Sequence, residues 1–199
     1  MDGPRGLART MNYCSGDLAD RTASTQETFA RVLSIWADHH GKNLSAMEWA
    51  GDKKPVQHAD PKVFSFIQSV WPDARFVHII RHPAAVIASK KAALANHLSF
   101  MSAWDRSDEE LLAFWTENER RVLAHKGTGA PIFSLTLPAL TRDPVVILAE
   151  LLKFLDLPDD PGMRALAQST TANQDHKYAD HALPLTPEAQ AIVEHYALG

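Results

Sequence analysis

Arg81 and Ser89 are the side chains whose types and spacing point most directly to chemistry. Arg81 ends the β-branched and aromatic run Phe76-Val77-His78-Ile79-Ile80 and precedes His82-Pro83, and Ser89 follows eight positions after it. A guanidinium is a planar fork of donors that matches phosphate oxygens, and a serine hydroxyl supplies one more donor. In open α/β sheets, ligands collect beyond the carboxyl ends of the strands, where helix N-termini favour anions through their N–H groups and dipole. The pair therefore reads as an anion site. A plainer alternative stays open: a surface arginine paired with a neighbouring carboxylate, and an ordinary helix serine.

Metal chemistry finds less support. His39 and His40 are adjacent, His78 and His82 are four apart but straddle a strand end, and none of the ten histidines stands in a His-Glu-x-x-His motif. No metal is expected. The single cysteine, Cys14, rules out an internal disulfide or a Cys-based zinc cluster, and it suits a reducing compartment.

The elements that must position Arg81 and Ser89 are legible around them. Residues 76–80 have the nearly continuous apolar character of a buried parallel strand. Pro83 suits the first position of a helix, where its missing N–H costs nothing, and Ala84 to Leu94 continue it with good helix formers. The unit is strand, tight turn, helix.

Upstream, residues 1–25 are rich in Gly, Ser, Thr and Asp and read as irregular. From Ser24, Phe29, Val32, Leu33 and Trp36 recur at helical spacing up to a stop at Gly41. Ala46 to Ala50 form a short apolar run, strand or helix, that delivers the polar loop Gly51-Asp52-Lys53-Lys54-Pro55. After Pro61, the residues Val63, Phe64, Phe66, Ile67 and Val70 make an amphipathic segment. Downstream, a long helix runs from about Asp108 to His125, with Leu111, Leu112, Phe114, Trp115 and Val122 on its apolar side. Ile132 to Leu137 reads as a second buried strand. Asp143-Pro144 opens a helix whose stripe runs from Val146 to Leu155, and Leu157-Pro158-Asp159-Asp160-Pro161 breaks it. Strands alternating with helices predict one α/β domain over 1–199 with a parallel sheet and no internal repeat.

Composition bounds the rest. The 199 residues are 45% hydrophobic and 22% charged, enough for a real core. Twenty basic against 24 acidic residues leave a net charge of -4, so no global basic field draws nucleic acid. No stretch approaches the roughly 18 apolar residues of a spanning helix, and the N-terminus lacks a signal pattern, so a cytoplasmic location is expected. The five tryptophans mostly fit core packing. Trp104, in the loop-like stretch 102–107, is the exception that suits the wall of a ligand pocket.

Three stretches carry a resemblance. Gly51-Asp52-Lys53-Lys54-Pro55, residues 66–83 (FIQSVWPDARFVHIIRHP) and residues 85–89 (AVIAS) are similar to the middle of the nucleotide-dependent sulfotransferases. Residues 132–157 resemble that family's later strand, loop, Asp-Pro and helix. His176-Lys177-Tyr178 with Leu185-Thr186-Pro187-Glu188 resembles its tail. The similarity spans about residues 48 to 195, within a recognisable core at 46–199. It implies a three-layer, P-loop-like α/β fold. It also implies transfer of a sulfuryl group from 3′-phosphoadenosine 5′-phosphosulfate (PAPS) to a hydroxyl or amine, leaving 3′-phosphoadenosine 5′-phosphate (PAP). Arg81 and Ser89 would hold the donor's 3′-phosphate. Lys53 matches the lysine of the family's Lys-Thr-Pro or Lys-Ser-Pro element and would touch the sulfonate or the acceptor. The resemblance also calls for a base, for which His58 is the first choice, its ordinary pKa of about 6.5 lying near neutrality. Glu48 is the second. No metal enters this scheme.

Two departures stand beside the resemblance. Relatives open with a strand and a Gly-rich loop that cradles the 5′-phosphosulfate; here Gly3, Gly6 and Gly16 follow no strand and Gly41-Lys42 lacks the earlier Gly of a Walker loop. A truncated or divergent N-terminus is therefore expected, with no first strand or phosphate loop. Relatives also carry Tyr-Glu-Asp-Leu where this chain has Leu137-Pro138-Ala139-Leu140, which removes a contact near the adenine. The alternatives are a non-catalytic family member that binds a 3′-phosphoadenosine nucleotide or a partner chain without turnover, and a nucleotide kinase, against which the absence of a Walker lysine argues. The acceptor class stays open among lipid, carbohydrate, small phenol and peptide. Unpaired strand edges beside a missing strand predict an oligomeric or marginally stable chain.

Overall fold

Phe76–Ile80 forms strand β1 and Ile132–Thr136 forms strand β2 of the computed structural model. The pair is parallel, with Phe76 opposite Ile132 and Ile80 opposite Thr136. The structure describes residues 18–46, 51, 53, 57–95, 105–169 and 181–198. The residues group into two compact units, Met1–Ala74 and Arg75–Gly199.

In the second unit, helix α3 spans Pro83–Ala95 and α4 spans Asp108–Gly127. Beyond β2 come α5, Leu137–Arg142, then α6, Pro144–Leu155, α7, Pro161–Ser169, and α8, Pro187–His195. Each start has a local cause. Ser107 caps α4 through a reciprocal capping box with Glu110, Thr136 Oγ1 accepts the Ala139 N–H at the start of α5, and Thr186 does the same for Ala189 at α8. Asp156, in the left-handed region at φ 60°, ends α6.

Pleating sends alternate side chains to opposite faces of the β1–β2 pair. One face carries Ile80, which joins Ile87 of α3, Leu111, Leu112 and Trp115 of α4, and Ile192 and Val193 of α8 in the core. The other face carries Phe133, whose ring meets Phe154 of α6 at 5.4 Å. Helices on both faces of a parallel pair give the helix–sheet–helix layering of an α/β fold. Among the described residues the sheet has these two strands. β1 keeps its expected bounds, while β2 stops one residue short of the expected Ile132 to Leu137 because Thr136 caps α5 and Leu137 opens it; the expected burial of β1 does not hold. Val77 and Ile79 are exposed, because α6 lies over β2 and leaves the β1 half of that face open.

In the first unit, α1 covers Leu18–His39 and α2 covers Pro61–Val70. This corrects the expectation of an irregular 1–25 at residues 18–25; residues 1–17 lie outside the described ones. No Gly or Pro interrupts 18–39, and a nucleated helix extends through polar residues at a cost below about 0.7 kcal/mol each. Arg31 and Glu27 pair one turn apart on it. Asp60 caps α2 by accepting from Lys62 and Val63. The Phe29 and Trp71 rings meet edge-on at 5.1 Å, and Gln26 donates to the Val70 carbonyl at 2.6 Å. Ala46 closes a 3-10 turn, Leu44–Ala46, and the rest of the short apolar run, 47–50, lies outside the described residues.

Candidate functional site

The turn between β1 and α3 is two residues long. Ile80 is anchored in the core, so the chain leaves the strand at a fixed point. Arg81 follows, half-buried and engaged with its surroundings. His82 then caps the helix: its Nδ1 accepts the Ala84 N–H at 3.2 Å and its carbonyl accepts the Val86 N–H at 3.1 Å. An acceptor at Nδ1 places the ring proton on Nε2. Pro83 is buried at the first helical position and brings no N–H that needs a partner. The sequence shows the His-Pro turn, but the imidazole as a helix cap was not read from it. The usable signal was a polar ring immediately before an N1 proline.

Ser89 lies six residues after Pro83, about 9 Å along the helix axis. It is half-buried, on the side it shares with Ala85 and with Val86, which packs against the core. Two cations follow it directly. Lys90 Nζ stands 5.4 Å from the Phe114 ring centroid, and burial pulls its pKa down to about 8. Lys91 pairs with Asp108 at the start of α4, whose other oxygen lies 3.2 Å from His181 Nε2. An arginine at the strand end and a hydroxyl on the helix that follows are donors suited to an oxyanion, whereas Lys91 is already neutralised by Asp108.

The other expected site residues belong to the first unit or fall outside the described residues. Lys53 is exposed, His58 is half-buried in the 3-10 turn Gln57–Ala59, and both lie in Met1–Ala74. Glu48 and Trp104, and the residues 176–178, lie outside the described ones. The structure thus brings Arg81 and Ser89 onto one strand–turn–helix element, and it describes Lys53 and His58 separately from them.

Among the described residues, no group of three or more His, Cys, Asp or Glu side chains is placed to hold a metal ion. No described helix is long and apolar enough to cross a membrane. A groove of about 400 Å³ lies at the α5–α6 junction, lined by Thr141, Arg142, Asp143, Val146 and Gln168 among others, apart from Arg81 and Ser89.

Comparison with solved structures finds the same fold in two sulfotransferase domains. One is the sulfotransferase domain from the curacin biosynthetic pathway, with a TM-score of 0.61 at 16% identity over 95% of this chain and 77% of that one. Another is the sulfotransferase domain from the Synechococcus PCC 7002 olefin synthase, with a TM-score of 0.58 at 21% identity over 73% of this chain and 57% of that one. No curated protein matches the sequence significantly. The sequence itself matches the model of the sulfotransferase family over residues 7–161. That match begins far upstream of residue 48, where the resemblance in the sequence begins, and ends before the tail-like segment. With most of its length inside the match, β1 to α6 included, the chain belongs to the sulfotransferase family.

Proposed function

We propose that the chain is a sulfotransferase that moves a sulfuryl group from PAPS to a hydroxyl or amine acceptor, with Arg81 and Ser89 binding the donor's 3′-phosphate. The observation that carries this reading is the placement of Arg81 in a two-residue turn between β1 and α3, with Ser89 on the helix that the turn starts. The donor chemistry fits those residues: a dianionic 3′-phosphate takes a guanidinium fork and a hydroxyl.

The donor supplies an activated sulfuryl group, and the chain's own residues supply position and charge. Arg81 and Ser89 fix the nucleotide end and so convert an encounter into an aligned reaction. Lys53 neutralises charge on the oxygens of the transferring group. His58, with Glu48 as second choice, takes the proton from the acceptor hydroxyl as its oxygen bonds to sulfur. The bond from sulfur to the phosphate oxygen breaks in the same displacement, and PAP leaves with that oxygen.

Calorimetric titration of the purified chain with PAP tests the reading, run beside Arg81→Ala and beside adenosine 5′-phosphate, which lacks the 3′-phosphate. Binding on the order of micromolar is expected for PAP. It should weaken at least about tenfold, or roughly 1.4 kcal/mol, when either Arg81 or the 3′-phosphate is removed. Equal binding of the two nucleotides would overturn the assignment of Arg81.

A further inference from the structure

Strand β1 pairs with β2 along one edge, and its other edge has no strand beside it among the described residues. The direction of each backbone group on β1 follows from the parallel register. Phe76 stands opposite Ile132 and donates to the Pro131 carbonyl, so the N–H and C=O groups of Phe76, His78 and Ile80 face β2. Those of Val77 and Ile79 face away from it, and they meet no partner among the described residues. The side chains of the same two residues, 42% and 58% exposed, stand on the open half of the sheet face.

Donors and acceptors at alternate positions make this edge electrostatically complementary to itself. Antiparallel strands bond through directly opposed residues that exchange both N–H···O contacts, with unbonded pairs between them. When two copies of β1 run antiparallel with His78 opposite His78, Val77 of each copy stands opposite Ile79 of the other. Every outward N–H then meets an outward carbonyl, and on the open face each valine lies against an isoleucine. Other registers fail. A slip of one residue sets outward groups against inward ones and mismatches the faces. A slip of two places Ile79 opposite Arg75, or Val77 opposite Arg81. In the favoured register Arg75 comes level with Arg81 just beyond the strand ends, so like charges confine the pairing to residues 76–80. His78, on the axis, keeps its side chain on the covered face, where Nε2 lies 3.0 Å from Glu119 Oε2.

We propose that the outer edge of β1 is a self-association surface whose occupant is the β1 strand of a second copy of this chain. The two strands pair antiparallel about a two-fold axis at His78 and join the sheets in the order β2-β1-β1-β2. Each copy offers the same patch to the other, as closed two-fold dimers require. The area is small: a pairing confined to one short strand a side buries less than the roughly 1,200 Å² at which standard interfaces begin, so the dimer is weak and fills at high concentration. The surface is independent of the nucleotide reading.

Sedimentation of the full chain from roughly 10 µM to 1 mM tests this, and a monomer–dimer equilibrium with its midpoint inside that range is expected. Ile79→Lys sets an ammonium group from each copy into the shared patch and should weaken the dimer at least about tenfold. Ile79→Pro should do the same, because the N–H it deletes faces away from β2 and no bond within the sheet is lost. Val146→Lys, at an exposed position on α6, should leave association unchanged. Hydrogen exchange reads the edge directly: the Val77 and Ile79 amides should slow as concentration rises. A chain that stays monomeric to the top of the range overturns the proposal. So does a dimer that survives Ile79→Lys, one that Val146→Lys weakens equally, or exchange at 77 and 79 that ignores concentration. If Ile79→Pro does not fold, Ile79→Lys, whose side chain stays in solvent in the monomer, decides.

Discussion

Ile79 and Ile80 are the same residue in adjacent positions of one strand, and the fold treats them oppositely. Ile80 is 1% exposed beneath α3, α4 and α8, whereas Ile79 is 58% exposed. Their partners across the ladder reverse the division. Thr136 pairs with Ile80 and Leu135 with Ile79, yet Leu135 is buried because α6 lies over β2. Burial here is set by which helix reaches which half of a face, and the apolar character of the residue does not decide it.

The largest test of this contrast is Ile80→Ala. Removing a fully buried side chain among close-packed neighbours costs its transfer free energy plus a cavity, about 2–5 kcal/mol. Urea unfolding of the variant should show a loss in that range, and binding at the following turn should weaken with it, since Ile80 fixes where Arg81 leaves the strand. A loss below about 1 kcal/mol would mean the covered face is packed too loosely to position the turn.

Smaller, and independent of either face, is the start of α4. Ser107 accepts from the Glu110 N–H while Glu110 accepts from the Ser107 N–H. Ser107→Ala should cost about 1 kcal/mol, read as a lower unfolding midpoint at unchanged slope. The α4 face that covers Ile80 should loosen first in hydrogen exchange.

That capping box was present in the sequence as Ser-Asp-Glu-Glu, and the strand and turn around Arg81 were equally legible, because they depend on local propensity and on proline. β2 and α6 were legible for the same reason. The division between the faces was not. Apolar runs such as 76–80 look alike whether one face or both are covered, since the covering residues lie far away in the chain. The buried contact of His78 with Glu119 escaped notice for that reason, being assembled across the sheet from residues whose separation carries no local pattern. Helix α7 and the first turns of α1 were missed because their polar residues mask the helical period. In the candidate site, Arg81 and Ser89 could be read because one element carries both.

Titration adds to the contrast, because two groups shifted by burial, Lys90 on α3 and Tyr196 after α8, belong to the elements that cover Ile80. Burial lowers the Lys90 pKa from 10.5 to about 8, and burial raises that of Tyr196 above the usual tyrosine range. Between about pH 8 and 10.5 the unfolded chain holds the Lys90 proton that the native state has released, so this lysine makes stability rise with pH across that window. Tyr196 acts in the opposite direction: above about pH 10 the unfolded chain ionises first, and stability falls. Thermal melts should show the rise disappearing in Lys90→Met and the alkaline fall shrinking in Tyr196→Phe. A rise that survives Lys90→Met would place the titrating group elsewhere.

The smallest expected effect is the most discriminating. Ile79→Thr keeps a β-branched side chain on the open half of the face, so strand propensity is preserved and little apolar contact is lost. The change in stability should stay within about 0.5 kcal/mol in dilute solution. Exposed apolar surface on a strand is also what a second chain would cover, so the same substitution separates an open face from one covered by association. If light scattering shows a larger species that Ile79→Thr dissociates, the face is occupied in solution and the two isoleucines are both buried, one by helices and one by a neighbour. A monomer insensitive to Ile79→Thr leaves the difference between the faces as a property of the single chain.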